Sequence, residues 1–170
     1  MEQKKINICL TENAQVIFSR LGFDPNSYAT AYQGESSGLD LYNMGQTVNL
    51  LGRNKWVAFG ERETLIPTGI RISIPKGYVG LIKERGSIIK TGLTVRAGVL
   101  DPGFTGEVFV SLVNMGERDT KVDTGAKLPV QLVIVPCANN FNVVSYADFL
   151  EENIDANRQQ NQIGSTNEEK

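Results

Sequence analysis

The 170-residue chain contains no histidine. That absence removes Ser-His-Asp and Cys-His nucleophile systems, His-ligated zinc and any imidazole general base. Its two cysteines, Cys9 and Cys137, are too few for a four-thiolate zinc site or a disulfide framework. Both lie among apolar neighbours and read as small buried hydrophobes. No apolar run approaches the ~18 residues that a membrane span needs. The charged opening MEQKKINICL does not read as a signal peptide. With 17 basic against 19 acidic residues, a net charge of −2, there is no basic stripe to grip nucleic acid. The expectation is a cytoplasmic protein with one main domain. If it is an enzyme, its acid–base work falls to Asp or Glu, or to a hard cation on oxygen ligands.

What the chain does have is strand pattern and turn chemistry. TGIRISIP alternates Ile70, Ile72 and Ile74 with Arg71 and Ser73, a strand with one wet face. GYVGLIKERG and GEVFVSLVN carry apolar side chains on both faces, which suits strands covered twice by a sheet or another subunit. KLPVQLVIVP is a further strand with prolines near its ends. Turn signals recur at Pro75-Lys76-Gly77, Asp101-Pro102-Gly103, Asn114-Met115-Gly116 and Asp123-Thr124-Gly125, so the pattern predicts an all-β sandwich, jelly roll or barrel. Helix is restricted to about Ala14–Leu21, ending near Gly22, and to a turn or two after Ser145 as N-cap. Trp56 reads as a core or subunit-contact anchor.

Two stretches raise chemical questions. RAGVLDPGFTGEV sets Asp101-Pro102-Gly103 between apolar runs and predicts a hairpin. Asp101 is then either a turn residue or a carboxylate presented at the hairpin's rim. The polar tail NIDANRQQNQIGSTNEEK has the composition of a disordered arm. Yet its GST turn could aim N–H groups and hydroxyls at an anion, and Arg158 could add a bidentate phosphate contact, as in a lid. The domain reading is a β-barrel over 1–153 followed by a C-terminal arm over 154–170.

Together these segments resemble the trimeric dUTPase family. SGLDL (Ser37 to Leu41) is similar to A-G-x-D-L, and ERGSIIKTG to the family's Arg-Ser-Gly or Arg-Ser-Ser phosphate loop. AGVLDPGFTGEV is close to A-G-V-I-D-x-x-Y-x-G-E, and GAKLPVQLVIVP resembles G-D-R-I-A-Q-L with one residue more. RQQNQIGSTN keeps the Arg and G-S-T of the fifth motif. The resemblance implies a distorted jelly-roll homotrimer, with each site assembled from three subunits. It implies hydrolysis of dUTP to dUMP and pyrophosphate, with Mg²⁺ held by phosphates and waters rather than directly by side chains.

On that resemblance Asp101 orients or deprotonates the attacking water. The backbone of Ala97, Gly98, Val99 and Leu100 reads the uracil edge, and Phe104 packs against C2′ where the family usually has Tyr, excluding a ribose hydroxyl. Arg85, Gly86, Ser87 and Gln131 hold the phosphates, with Asp40 positioning an arginine behind them. Arg158, Gly164, Ser165 and Thr166 close over the γ-phosphate, and Ile163 covers the base in place of the family's aromatic. Gly86 stands where the phosphate loop has its first Ser. Residues 159, 161 and 162 are Gln, Asn and Gln in place of glycines, and the extra residue lies at Leu128-Pro129.

Two alternatives remain at this level. The segment DPGF is equally like a dCTP deaminase of the same superfamily, but Ser111 occupies the place of that enzyme's proton-shuttling Glu. The other alternative is a weakly catalytic dUTP-binding regulatory protein, because fold does not fix function.

Overall fold

In a computed structural model, residues 6–24, 36–55, 63–138 and 140–152 are described. The chain divides into two units, Met1–Ala138 and Asn139–Lys170. Within the first, β1 (Asn7–Leu10) leads into α1 (Glu12–Leu21). Thr11 caps α1, its hydroxyl accepting from the Ala14 N–H at 3.3 Å, and Gly22 ends it in a left-handed conformation with φ 68°. That helix starts two residues earlier than expected, because Thr11 and Glu12 supply both a side-chain acceptor and an acid for the first turn. Ala14 and Phe18, one turn apart on the same face, are its buried residues.

Ten more strands and one short 3₁₀ turn follow. They are β2 (Gly38–Tyr42), β3 (Val48–Leu50), β4 (Glu63–Pro67), β5 (Ile70–Ser73), β6 (Tyr78–Glu84), the 3₁₀ turn Gly86–Lys90, β7 (Leu93–Arg96), β8 (Val99–Leu100), β9 (Phe109–Asn114), β10 (Thr120–Val122) and β11 (Lys127–Pro136). They hydrogen-bond in four groups: β1-β5, β10-β3, β2-β11-β6-β8 and β4-β9-β7. The expected β5 alternation is present, with Ile70 and Ile72 buried and Arg71 and Ser73 exposed. In β11 the buried set is Leu128, Val130 and Leu132.

Those side chains meet Phe18, Leu41, Met44, Leu50, Ile66, Val110 and Leu112 in one core. Each such burial is worth about 1.5–3 kcal/mol, and truncating Leu112 to Ala would cost about 2–5 kcal/mol.

The segment around Asp101 is a turn but not a hairpin. The Phe104 N–H donates to the Asp101 carbonyl at 3.1 Å and Gly103 has φ 88°. However, β8 pairs with β6, whereas β9 lies between β4 and β7. The chain after the turn is drawn elsewhere: Val108 N–H donates to the Ile70 carbonyl, and Glu107 accepts from the Gly69 N–H. The cysteine reading also needs correction, because Cys9 is exposed on the edge strand β1 and Cys137 is half-buried.

In the second unit, α2 (Tyr146–Glu152) is capped as expected. The Ser145 hydroxyl accepts from the Asp148 N–H at 3.2 Å and donates to the Asp148 carboxylate at 2.7 Å. Trp56, Arg158, Ile163, Gly164, Ser165 and Thr166 lie outside the described residues.

Candidate functional site

The register of β2 on β11 places Asp40 opposite Gln131, and that of β6 on β11 places Gln131 opposite Lys83. Between Lys127 and Gln131 the register shifts. Four steps of β11, from 127 to 131, oppose only two of β2, from 42 to 40. This is the bulge that accommodates the extra length at Leu128-Pro129. Its carbonyls are put to use: Pro129 O accepts from the Arg85 backbone N–H at 2.9 Å, and Leu128 O from Arg85 Nη1 at 3.3 Å.

Arg85 is thereby fixed at the end of β6, and Asp40 completes the clamp. The carboxylate is 8% exposed. Its Oδ1 lies 2.7 Å from Arg85 Nε, and its Oδ2 accepts from Lys127 Nζ at 3.0 Å. Lys127 also lies over the Tyr42 ring, 5.5 Å from its centroid. The hydrogen bond to Asp40 is the main reason the Lys127 ammonium is held above its ordinary pKa. Lys127 is a residue that the sequence reading passed over, although it stands at the basic position of the fourth motif.

Gln131 is seated by two features. Its Nε2 donates to the Glu84 carbonyl at 3.3 Å. Its Oε1 fills the space a Cβ on Gly38 would need, at 2.1 Å. Gly86 and Ser87 follow Arg85 directly and are exposed. A Cβ at Gly86 would meet nothing within 4 Å, so packing does not require glycine there. Asp40, Arg85, Gly86, Ser87 and Gln131 thus gather at one end of the β2-β11-β6 sheet.

Ala97 to Asp101 form a second locus on the other edge of β6. Ile82 N–H donates to Gly98 O at 2.8 Å, and Gly80 pairs with Leu100. Ala97 has φ 59°, the one positive value at a non-glycine among the described residues, and Gly98 has φ 108°. The left-handed conformation costs about 1–3 kcal/mol at Ala97, whereas Gly98 adopts its own without a Cβ to clash, and strain of this kind concentrates at functional sites. The Glu84 carboxylate anchors the segment, accepting from Thr94 Oγ1 at 2.8 Å and Val95 N–H at 3.3 Å.

Asp101 is exposed on its turn, and the Phe104 ring is partly exposed beside it. Asp101 is not brought to Arg85. Leu100 pairs with Gly80, five residues before Arg85 on β6. At about 3.3 Å per residue this sets Asp101 on the order of 17–20 Å from Arg85 along the strand.

Ser111 is 6% exposed, and its hydroxyl donates to Glu63 Oε1 at 2.5 Å. Glu63 Oε2 is paired with Arg96 at 3.1 Å. The carboxylate bonded to Ser111 is therefore engaged by a cation. Among the described residues no three His, Cys, Asp or Glu side chains cluster as a metal site, and no helix is long and apolar enough to cross a membrane.

The dUTPase family model matches residues 28–167. The deoxyuridine 5′-triphosphate nucleotidohydrolase of Aquifex aeolicus is 39% identical over 113 residues, covering 65% of this chain and 68% of the relative. That of Brucella melitensis biotype 1 is 34% identical over 118 residues, covering 68% and 69%. Among solved structures, EIAV dUTPase is similar with TM-score 0.56 and 26% identity over 68% of this chain and 88% of that one. The dUTPase of Staphylococcus bacteriophage 80alpha has TM-score 0.65 and 21% identity over 85% and 97%, a likeness of fold. A mutant dUTPase from phage phi11 of S. aureus, whose structure concerns a structural Mg(II) ion, has TM-score 0.62 and 20% identity over 84% and 97%. The expected jelly-roll β fold is borne out by this likeness.

Proposed function

This chain belongs to the dUTPase family, and from that premise we propose that it hydrolyses dUTP to dUMP and pyrophosphate at a site shared between subunits. The observation that carries the reading is the clamped guanidinium. Asp40 and the Leu128 carbonyl take Arg85 Nε and Nη1, and the pre-oriented guanidinium presents Nη2 to a phosphate oxygen. Gln131 and the exposed backbone of Gly86 and Ser87 extend that cradle. Arg158, Gly164, Ser165 and Thr166 of the arm over 154–170 close on the γ-phosphate, and Ile163 covers the base.

The Ala97-Gly98-Val99-Leu100 edge reads uracil through backbone groups whose strained conformation is set before substrate arrives. Phe104 excludes a ribose 2′-hydroxyl by contact and desolvation. Asp101 accepts the proton of the attacking water and orients it, a role open to a carboxylate where histidine is absent. Mg²⁺ would arrive on the triphosphate, where it gathers oxygens and spreads charge. The donor set fits this, because both Asp40 oxygens are engaged by cations and Mg²⁺ needs few protein ligands when phosphates are present.

Distance supports sharing between subunits. A single triphosphate cannot be held at Arg85 and attacked beside Asp101 of the same chain across a gap of about 17–20 Å. A homotrimer brings the two loci of different chains together. Leu65, 66% exposed on β4, and Phe109, 45% exposed on β9, leave an apolar sheet face for such an assembly. Phe141, Val143 and Phe149 in the second unit are exposed as well. The enzyme would work on the cytoplasmic nucleotide pool. Deamination is disfavoured by Ser111, which has no proton to shuttle near neutral pH.

The test is pyrophosphate release with Mg²⁺ from dUTP, dCTP, UTP and dTTP, with ammonia release from dCTP in parallel. Turnover confined to dUTP supports the reading. Ammonia from dCTP, or bound dUTP without turnover, would refute it.

A further inference from the structure

Gly106 is not required by its backbone, since it is absent from the glycines with positive φ. It is required by its neighbour. A Cβ built there would lie 2.8 Å from Phe104 Cζ, 3.1 Å from Cε2 and 3.7 Å from Cε1, and these are the three nearest atoms. The Phe104 ring therefore rests its far end on the bare Cα of the residue two positions on.

The backbone under the ring has little freedom to retreat. Thr105 O accepts from Arg71 Nη1 at 2.9 Å, and Glu107 Oε1 from Gly69 N–H at 2.9 Å. The Val108 N–H donates to Ile70 O at 2.9 Å, and Val108 O accepts from both the N–H and the hydroxyl of Thr68. Phe104 itself is tied to the Asp101 carbonyl through its N–H. With backbone pinned on both sides of Gly106, a new methyl is accommodated by rotating the ring. A cavity of about 300 Å³, lined by the ring together with Cys9, Arg71, Ile74 and Gly103, gives it somewhere to go.

We propose that Gly106 is a specificity-determining position, acting through Phe104. By leaving room for the ring, it fixes where the aromatic edge meets the sugar and so sets how strongly ribose is refused. This rests on the reading of Phe104 as the sugar gate. The glycine is a positioning residue and touches no substrate. A ring displaced by even an ångström opens the C2′ edge, and discrimination against a single hydroxyl depends on that contact being close.

The experiment measures kcat/KM for dUTP and for UTP in the full chain and in Gly106→Ala, Phe104→Ala and the double variant. Gly106→Ala is expected to lower the dUTP/UTP ratio at least tenfold, with dUTP turnover retained to within about that factor. In the Phe104→Ala background the same substitution should leave the ratio unchanged, since the atoms it would strike are gone.

An equal fall for both substrates, or an undiminished ratio, would overturn the inference while leaving dUTP hydrolysis intact. Absence of dUTP turnover in the unaltered chain would instead refute the reading beneath it. If Gly106→Ala does not fold, the double variant decides: restored folding supports the ring contact, and continued unfolding overturns it.

Discussion

Asp40→Asn removes one charge and keeps the side chain's shape. It leaves two cations around a neutral amide. Each pair spans 2.7–3.0 Å, and at a near-surface dielectric each is worth about 4 kcal/mol of gross attraction at 4 Å. Much of that is offset by desolvating a carboxylate that is 8% exposed. The partners differ in screening, because the Arg85 side chain is 24% exposed and that of Lys127 45%.

Removing one member of a buried pair costs about 3–5 kcal/mol, and breaking an exposed pair about 0.2–1 kcal/mol. With Arg85 below the buried limit and Lys127 near the exposed one, the loss comes to about 2–3 kcal/mol. The amide adds a specific fault, because its NH₂ would face either the Lys127 ammonium or Arg85 Nε, donor against donor. In urea, with m about 1–3 kcal/mol/M, the midpoint should fall by about 0.7–3 M with m unchanged. The assay is equilibrium unfolding at fixed protein concentration, since association would otherwise move the midpoint. In parallel, KM for dUTP should rise as Arg85 loses its orientation. A midpoint shift below about 0.3 M, or an unchanged KM, would refute the clamp.

Other consequences can be checked together. Gly38→Ala puts a methyl 2.1 Å from Gln131 Oε1, so Gln131 must swing out. The loss of a hydrogen bond to a charged phosphate should lower kcat/KM for dUTP by about 10–100-fold with little change in secondary structure by circular dichroism. Ala97→Gly relieves the left-handed strain and should not destabilise the fold. Gly98→Ala should cost well over 1 kcal/mol, since φ is 108° and the new Cβ would be 2.8 Å from that of Ile82; urea midpoints separate the two.

The alkaline limb follows from Lys127, whose pKa is raised above the ordinary 10.5. Its pairing energy is fully present below that value and is lost as pH rises through the higher folded pKa. Lys127→Met should therefore flatten the stability profile above about pH 10 and leave its shape near neutrality unchanged.

The strands were legible because their periodicity is a local property of the chain. Ile70, Ile72 and the β11 set Leu128, Val130 and Leu132 show their buried face directly. Caps were legible in part, with Ser145 and Gly22 plain but Thr11 overlooked in favour of the first apolar residue.

Pairing was harder. Nothing within RAGVLDPGFTGEV reveals that β8 joins β6 while β9 joins β4 and β7, since that choice is made by residues far along the chain. Cys9 has apolar neighbours yet lies exposed on an edge strand. At the site, Asp40, Arg85 and Gln131 were legible through the resemblance of their motifs to those of the dUTPase family. Lys127 was missed because a lone lysine in a strand carries no signal until a carboxylate is placed beside it. Gly106 was legible only as the glycine of the third motif, since the space it leaves for Phe104 is visible only in three dimensions.

Subunit complementation puts the proposed sharing of the site to the sharpest test. Asp101→Asn and Arg85→Ala chains are purified separately, unfolded, mixed in equal amounts and refolded together, and pyrophosphate release from dUTP is measured. If Asp101 of one chain serves the phosphates held by Arg85 of another, each mixed trimer regains one intact site in three. Activity should then return to about a quarter of that of the unaltered protein, although neither variant is active alone. Activity no greater than the two variants refolded separately would contradict a site shared between chains.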